Sequence, residues 1–223
     1  MRQLDLVGSN GRLKLPRFRF SKVIFWCVLA VPLALLINDI RIELTSPTLG
    51  LGADPEDAIV DHLGIWSIRM LWFTLFISSL SRLTRKPILI QFRRMAGLWT
   101  FAMVCLHVTS YVLLLARIDV MVILADFTER PYIIAGLTAL CTLIPLAITS
   151  TRGWRRKLRQ NWNRLHRLIY IAAIAAWIHL FWLERATFEE SAIYGAILVV
   201  LFGERIVNTI RTRKRKQTVK AVS

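Results

Sequence analysis

This chain is short of the residues that most enzymes use for chemistry. Its 223 residues include only four histidines and three cysteines, and 14 acidic residues stand against 30 lysines and arginines. The cysteines form no Cys-x-x-Cys pair and no Cys-x-x-Cys-His site, which excludes a covalently attached haem, and we expect them to be buried structural thiols. The sequence has no Gly-x-Gly-x-x-Gly fingerprint for a dinucleotide and no pairing of a nucleophile with a base.

The chain is instead rich in apolar residues. They make up 55% of the sequence, the mean hydropathy is +0.50, and the formal net charge is nevertheless +16. A multispan membrane protein combines these properties because its charges collect in short loops on one side of the membrane. Every basic cluster adjoins an apolar stretch, which favours anionic lipid over nucleic acid as the partner of the positive charge.

Six apolar stretches are long enough to cross a membrane as helices, which need ~20 residues each. They are continuously apolar rather than alternating, so they predict an all-α bundle and not a barrel. The stretches are Val23–Ile40, Ile65–Leu83, Met95–Ala116, Tyr132–Thr149, Leu168–Leu183 and Ala192–Ile210. We expect one transmembrane domain over residues 23–210, with a basic segment 1–22 before it and a basic tail 211–223 after it.

The loops between these stretches alternate in charge. Lysine and arginine crowd the segment before the first stretch, the loops after the second and fourth, and the tail. Because positive residues stay on the cytoplasmic side, both termini are predicted to lie inside the cell and the three acidic loops outside. The acidic residues of those loops are Asp39, Glu43, Asp54, Glu56, Asp57, Asp61, Asp119, Asp126, Glu129, Glu184, Glu189 and Glu190.

Two histidines lie within apolar stretches, where an ionisable ring is a functional hypothesis by default. His107 and His179 lie almost equally far along their helices when each is counted from its basic inner border, Arg94 or Arg167. At ~1.5 Å per residue, both rings are predicted ~18–20 Å above that border, on helices that run in the same direction. Two imidazoles at one level can ligate one iron from opposite sides, or they can bond to neighbouring helices as packing contacts.

The surroundings of these two histidines favour haem as the metal group. Zinc and di-iron sites use carboxylates or cysteines, and the interiors of these two helices hold no acidic residue. An axial pair of histidines suits a haem, because the porphyrin supplies the other four ligands. Small residues near the pair would leave room for the macrocycle, namely Gly97, Ala102, Ala172, Ala173, Ala175 and Ala176.

His166, at the inner border of the fifth stretch, has two interpretations. It lies ~20 Å below His179, and on a straight helix the two rings would point ~140° apart. It is either a ligand of a second, inner haem or an interfacial residue that contacts lipid headgroups. The matching level of the third helix offers Arg93 and Arg94 and no histidine, so an inner haem would need an unusual sixth ligand or would keep an open site.

Two further polar residues lie near the second stretch. His62 belongs to the acidic outer loop before that helix and is interpreted as a solvated interface residue. Arg69, about one turn into the helix, either extends to the outer interface or pairs with a haem propionate.

Several motifs resemble those of one family. They are the segments Gly50–Pro55, Arg93–Trp99, Leu106–Tyr111, Arg130–Tyr132, Thr149–Ser150, Trp162–His166 and Ile178–Trp182. Together they span about residues 45–205 and resemble the MsrQ (YedZ) family, a branch of the ferric-reductase-like transmembrane proteins that also include NADPH oxidases and iron reductases. Members are haem-bearing membrane subunits that pass electrons to MsrP, a periplasmic molybdenum enzyme that reduces methionine sulfoxide in proteins.

The resemblance implies a cofactor set and a location. It implies a haem b held by His107 and His179, a second haem at His166, an associated FMN, and the bacterial inner membrane. The chain would be an electron-transfer subunit rather than the catalytic subunit of its complex.

The electron donor is expected to be a separate molecule. Since only the short basic tail follows the last apolar stretch, the electrons would come from the quinone pool or from a cytosolic flavin reductase, not from a fused nicotinamide domain. Two alternatives remain open at this point. One is a cytochrome that reduces extracellular iron directly, and the other is a transporter or channel whose buried histidines relay protons.

Overall fold

The computed structural model describes residues 17–183 and 188–222, and within them the fold is all-α with no strand. A short 3-10 turn, Pro87–Leu89, precedes the third helix, and a π-helical segment, Tyr111–Leu115, extends it. The α-helices of the described residues are α1 (Arg17–Thr45), α2 (Pro55–Leu83), α3 (Ile90–Ser110), α4 (Val120–Glu129), α5 (Pro131–Ile148), α6 (Arg152–Leu158), α7 (Gln160–Leu165), α8 (Leu168–Leu183) and α9 (Glu189–Val222).

Six helical spans are long and apolar enough to cross a membrane, which confirms the predicted number. They are Phe20–Thr45, Pro55–Leu83, Ile90–Leu115, Pro131–Ile148, Gln160–Leu183 and Glu189–Thr212. Most are longer than the apolar stretches because polar residues continue the helix at its ends. The tail predicted after residue 210 largely continues α9, while residues 1–16 and Glu184 lie outside the described residues.

Acidic side chains define where two of the helices begin. The Asp54 carboxylate accepts a hydrogen bond from the backbone N–H of Asp57 at 3.3 Å, and Pro55 occupies the first turn of α2. The Asp119 carboxylate accepts from the N–H of Met121 at 2.8 Å and caps α4 in a related way. Two residues of the predicted acidic loops therefore have a structural role as helix caps.

Helix α2 lies at the centre of the bundle. In its most apolar stretch 61% of the residues are buried, against 17–22% in the other five spans. Its side chains Leu71, Trp72 and Leu75 belong to a core cluster with Leu143 of α5 and Leu198 of α9. The other spans have few buried residues and expose many large apolar side chains, as helices that face lipid do.

The same outward exposure corrects the prediction for the thiols. Cys27 on α1 and Cys141 on α5 are exposed on the surface of the bundle, and Cys105 on α3 is half-buried. An exposed thiol on a membrane-spanning helix contacts lipid, so its apolar sequence context does not place it in the protein core.

The helix is interrupted between α7 and α8. Helix α7 ends at Leu165 and α8 begins at Leu168. At the break the N–H of His166 donates to the carbonyl of Trp162 at 3.0 Å, and His166 is the C-terminal cap of α7. The ~140° angle between the two rings, which holds for a straight helix, therefore does not apply across this break.

Candidate functional site

His107 on α3 and His179 on α8 face each other inside the bundle. Their ring centroids are 6.2 Å apart and the ring planes cross at 79°. Two imidazoles that bind one metal ion from opposite sides at about 2 Å place their ring centroids about 6 Å apart. The structure thus brings together the two histidines that the sequence places at one level.

Each ring is tethered to a backbone carbonyl through its Nδ1 atom. The Nδ1 of His107 lies 3.0 Å from the Val60 oxygen on α2, and that of His179 lies 2.6 Å from the Tyr132 oxygen on α5. Since a carbonyl oxygen only accepts, Nδ1 carries the hydrogen in both rings and Nε2 carries the lone pair. Among the described residues, neither Nε2 has a hydrogen-bond partner. Histidines that ligate metals are typically oriented by a second-shell bond of this kind.

The donor set fits a haem iron. No group of three or more His, Cys, Asp or Glu that could hold a metal ion occurs among the described residues, so a metal at this pair needs other ligands. A porphyrin brings four. Each ring also lies close against the backbone of a glycine. A Cβ at Gly64 would lie 3.0 Å from the His107 ring, and one at Gly136 would lie 2.8 Å from the His179 ring.

The small residues that were predicted to make room for a macrocycle pack against other parts of the bundle, in those cases where the structure shows their contacts. Ala172 and Ala173 are fully buried in the core cluster around α2, and a Cβ at Gly97 would meet only the Thr74 side chain at 3.6 Å. The glycines that contact the histidines, Gly64 and Gly136, are not among the predicted residues. The only sequence signal for them is that the separation of Gly64 from Gly136 along the chain equals the separation of His107 from His179.

His166 has a different environment from the other two. Its ring stacks on Trp162 with centroids 3.9 Å apart, and its Nε2 lies 3.3 Å from the hydroxyl oxygen of Thr149. The indole N–H of Trp162 donates to the Thr149 carbonyl at 3.0 Å and closes this small cluster. In the part of the chain that the structure describes, the ring contacts found for His166 include no second histidine.

His62 and Arg69 lie elsewhere than predicted. His62 is inside α2, half-buried, and its Nε2 is 3.0 Å from the Pro32 carbonyl of α1, so it ties two helices together rather than standing in a solvated loop. Arg69 is in the middle of α2 rather than in its first turns, because the helix begins at Pro55. Its Nε donates to the Tyr194 hydroxyl at 2.8 Å, and its guanidinium lies 5.0 Å from the centre of the Trp66 ring.

The contacts of a charged cluster near the other end of α2 are absent from the sequence predictions, which place Arg82 in a basic loop. Arg82 forms an ion pair with Glu204 of α9 at 2.6 Å. Arg205 donates to the Leu75 carbonyl at 2.9 Å and lies over the Tyr170 ring at 5.0 Å. These contacts join α2, α8 and α9.

A second polar cluster joins α3, α4 and α5. The Tyr111 hydroxyl donates to the buried Asp126 carboxylate at 2.6 Å, and Arg130 pairs with the same carboxylate at 3.2 Å. The pKa of Arg130 is raised above its ordinary value, first by Tyr132 and also by Asp126, against partial desolvation, so the guanidinium stays charged. Since the Tyr132 ring also contacts His179 with centroids 5.8 Å apart, this cluster borders the histidine pair.

Known proteins are similar to this chain over most of its length. The family described as "Ferric reductase like transmembrane component" matches residues 63–177, a range that includes His107 and His166. A protein of Xanthomonas campestris pv. campestris (strain B100) is 44% identical over 194 residues, covering 87% of this chain and 89% of that protein. Its name is "Protein-methionine-sulfoxide reductase heme-binding subunit MsrQ".

Relatives from other species carry the same name. One from Xanthomonas axonopodis pv. citri (strain 306) is 39% identical over 194 residues, with 87% of this chain and 89% of that protein covered. One from Xanthomonas oryzae pv. oryzae (strain MAFF 311018) is 39% identical over 196 residues, with 88% and 90% covered. No solved structure matches the chain.

Proposed function

Because this chain belongs to the MsrQ family of ferric-reductase-like transmembrane proteins, we propose that it is the haem-binding membrane subunit of a methionine sulfoxide reductase system. It carries electrons outward from the quinone pool, or from a cytosolic flavin reductase, to a periplasmic MsrP-like molybdoenzyme. That partner performs the reduction, and this chain is the electron conduit.

The observation that carries the proposal is the tethered histidine pair. His107 and His179 have centroids 6.2 Å apart, and both rings have the Nδ1-protonated form that leaves Nε2 free for a metal. Packing contacts alone would not require two rings to face each other with both free nitrogens unpaired. We therefore assign His107 and His179 as the axial ligands of one haem b.

A bound haem supplies one-electron chemistry through its iron. The chain would hold that iron through the two Nε2 atoms. The carbonyls of Val60 and Tyr132 fix the orientation of the rings and raise the basicity of the ligating nitrogens. Because these contacts are formed in advance, the ligands need little rearrangement during electron transfer.

His166 is proposed to ligate a second haem. Its ring is half-buried and is held by Trp162 and Thr149. It precedes His179 along the chain by a stretch that corresponds to a separation of up to ~20 Å along a helix. Two haems at this spacing would form a path along the bundle. The FMN implied by the resemblance is not assigned to any residue.

The direction of transfer follows from the proposed topology. The basic loops and both termini are placed on the cytoplasmic side of a bacterial inner membrane by their positive charge. His107 and His179 then lie in the outer half of the membrane and His166 near the inner surface. This orientation can be tested with a reporter fused to the C-terminus. The reporter would be one that is active only in the cytoplasm or one that is active only in the periplasm.

The partner is proposed to dock on the outer acidic loops, and the structure narrows the choice of residues. Five of the acidic residues already have partners within the chain, among them Glu56, whose carboxylate lies 4.0 Å from the Arg117 guanidinium. Glu43 accepts from the N–H groups of Thr48 and Leu51 at 2.6 and 2.9 Å, and Asp126 is paired with Tyr111 and Arg130. Asp54 and Asp119 cap helices. We therefore expect the remaining acidic residues to supply the negative charge to which the partner binds.

The testing experiment is a reduced-minus-oxidised visible spectrum of the purified chain, with haem counted per chain. His107→Ala and His179→Ala should each remove the low-spin b-type signal of the outer haem. His62→Ala is the matched control, because His62 also bonds a backbone carbonyl but does not face another histidine. An outer-haem signal unchanged in both ligand variants would refute the assignment.

Activity assays separate the proposed function from direct iron reduction. Membranes that contain the chain should transfer electrons from a quinol or reduced flavin to an MsrP-like enzyme. The same membranes should reduce a ferric chelate slowly or not at all. Rapid ferric reduction without transfer to the molybdoenzyme would favour the iron reductase instead.

A further inference from the structure

The same three-part arrangement occurs at both candidate haem ligands. On α2 the Val60 carbonyl accepts from His107, and Gly64 follows that carbonyl by four residues. On α5 the Tyr132 carbonyl accepts from His179, and Gly136 follows by four. In each case 47 residues separate the histidine from its carbonyl. The two sets are therefore related by a constant offset along the chain.

The position of the glycine has a simple geometric reason. In an α-helix the Cα–Cβ bond tilts toward the N-terminus, so a side chain at position i+4 covers the carbonyl of residue i. That carbonyl already accepts from the N–H of residue i+4, and its second lone pair can accept another bond. A glycine at i+4 leaves this lone pair open to a donor from a neighbouring helix.

The clearance is too small for a methyl group at Gly136 and is tight for one at Gly64. A Cβ at Gly64 would lie 3.0 Å from Cε1 and 3.2 Å from Nδ1 of His107. A Cβ at Gly136 would lie 2.8 Å from Nδ1 of His179, the donating atom itself. An alanine at Gly136 would displace the His179 ring from its tether, and one at Gly64 would push the His107 ring by a few tenths of an ångström.

We propose that Gly64 and Gly136 are positioning residues for haem ligation, acting through His107 and His179. This inference rests on the proposed function. Each glycine lets a ring approach the helix closely enough to donate to the carbonyl, and the two tethers together set the 79° angle between the ring planes. The glycines thereby control how firmly the iron is held and how the axial ligands are oriented.

The chain offers a matched control for the steric effect. The indole N–H of Trp177 donates to the Ser191 carbonyl at 2.9 Å, and a Cβ at Gly195 would lie 2.8 Å from that nitrogen. Gly195→Ala therefore creates the same kind of clash against a residue that is not a proposed ligand. Gly97→Ala is the mild control, since its Cβ would meet only ordinary van der Waals contact.

The experiment measures haem retention and axial geometry in the full-length protein. Gly64→Ala and Gly136→Ala are expected to lose haem to apomyoglobin about 10- to 100-fold faster than the unaltered chain, the usual cost of removing a second-shell contact. Near-perpendicular axial rings give a ferric electron paramagnetic resonance signal with a large maximum g value, and both variants should shift it. Gly195→Ala and Gly97→Ala should leave the signal unchanged. A g value and haem-loss rate unaltered in Gly64→Ala and Gly136→Ala would overturn the inference.

A second variant covers the case in which Gly64→Ala does not accumulate. In His107→Gly the ring is removed and added imidazole supplies a free ligand without a tether. Gly64→Ala in that background should fold and should leave the imidazole-restored spectrum unchanged, because the clash is gone. If Gly64→Ala instead weakens the imidazole-restored haem spectrum as much as it weakens the spectrum of the unaltered chain, Gly64 acts independently of His107. That result would overturn the inference. Absence of haem from the unaltered chain, or an outer-haem signal indifferent to His107→Ala and His179→Ala, would instead overturn the proposed function.

Discussion

The hydroxyl of Tyr111 and the carboxylate of Asp126 are joined by a hydrogen bond of 2.6 Å, which ties the π-helical end of α3 to the short helix α4. Tyr111 lies four residues beyond His107, and the adjoining Arg130 leads to Tyr132, whose carbonyl holds His179. One polar cluster therefore borders both halves of the candidate haem site.

This cluster predicts a stability effect. Asp126→Ala would leave the Tyr111 hydroxyl and the Arg130 guanidinium without their shared acceptor, at a cost of about 1–3 kcal/mol in the free energy of unfolding. Thermal unfolding in detergent should show a lower midpoint for this variant. Glu129→Ala, on an exposed residue of the same helix, should change the midpoint little. Equal midpoints for the two variants would contradict a structural role for the cluster.

The acceptors of the two tethers are backbone atoms, so the side chains at those positions should matter little for haem. Val60→Ala and Tyr132→Phe keep both carbonyls, and we expect both variants to retain the b-type spectrum and the haem content of the unaltered chain. Val60 is buried, so its variant should still lose about 1 kcal/mol of stability. Haem loss in Val60→Ala as complete as in His107→Ala would argue against a backbone tether.

His166→Ala tests the second haem. If His166 holds an inner haem, the haem count per chain should fall by about half while the signal assigned to His107 and His179 persists. Thr149→Val is the companion variant, because it removes the hydroxyl 3.3 Å from the His166 ring without removing the ring. An unchanged haem count in His166→Ala would reduce the proposal to a single haem.

His62→Ala should separate packing from ligation. The bond from His62 to the Pro32 carbonyl joins α1 to α2, and its loss is expected to cost about 0.5–1.5 kcal/mol. The haem spectrum should remain that of the unaltered chain. A lost or shifted spectrum, measured beside the His107→Ala variant, would show that α1 contributes to the haem site.

The ion pair between Arg82 and Glu204 should contribute little stability and depend on salt. Both side chains are partly exposed, at 34% and 20%, so Glu204→Gln is expected to cost about 0–1 kcal/mol. The cost should decrease as the salt concentration rises, because exposed pairs are screened. A large loss that is insensitive to salt would indicate that the pair is more deeply embedded than its exposure suggests.

The sequence was sufficient for the properties that depend on local chain geometry and composition. Continuous apolar runs predict six helices because each backbone must satisfy its own hydrogen bonds in lipid. The fixed rise per residue predicts a common level for His107 and His179, and the structure has their rings face to face. It was not sufficient for His62 and Arg69, because the capped start of α2 at Pro55 moves both well inside the helix.

Only the tertiary structure determines which groups support the ligands. Gly64 and Gly136 belong to different helices from the histidines they contact, so helix packing alone brings each pair together. The fifth apolar stretch begins at Leu168, where α8 begins, but the contacts that hold His166 at the end of α7 depend on tertiary packing. Sequence by itself determined the helices and the common level of the two histidines through local periodicity. The packing of α2 on α3 and of α5 on α8 decided how each ring is held, because a contact between distant segments depends on the shapes of both helices.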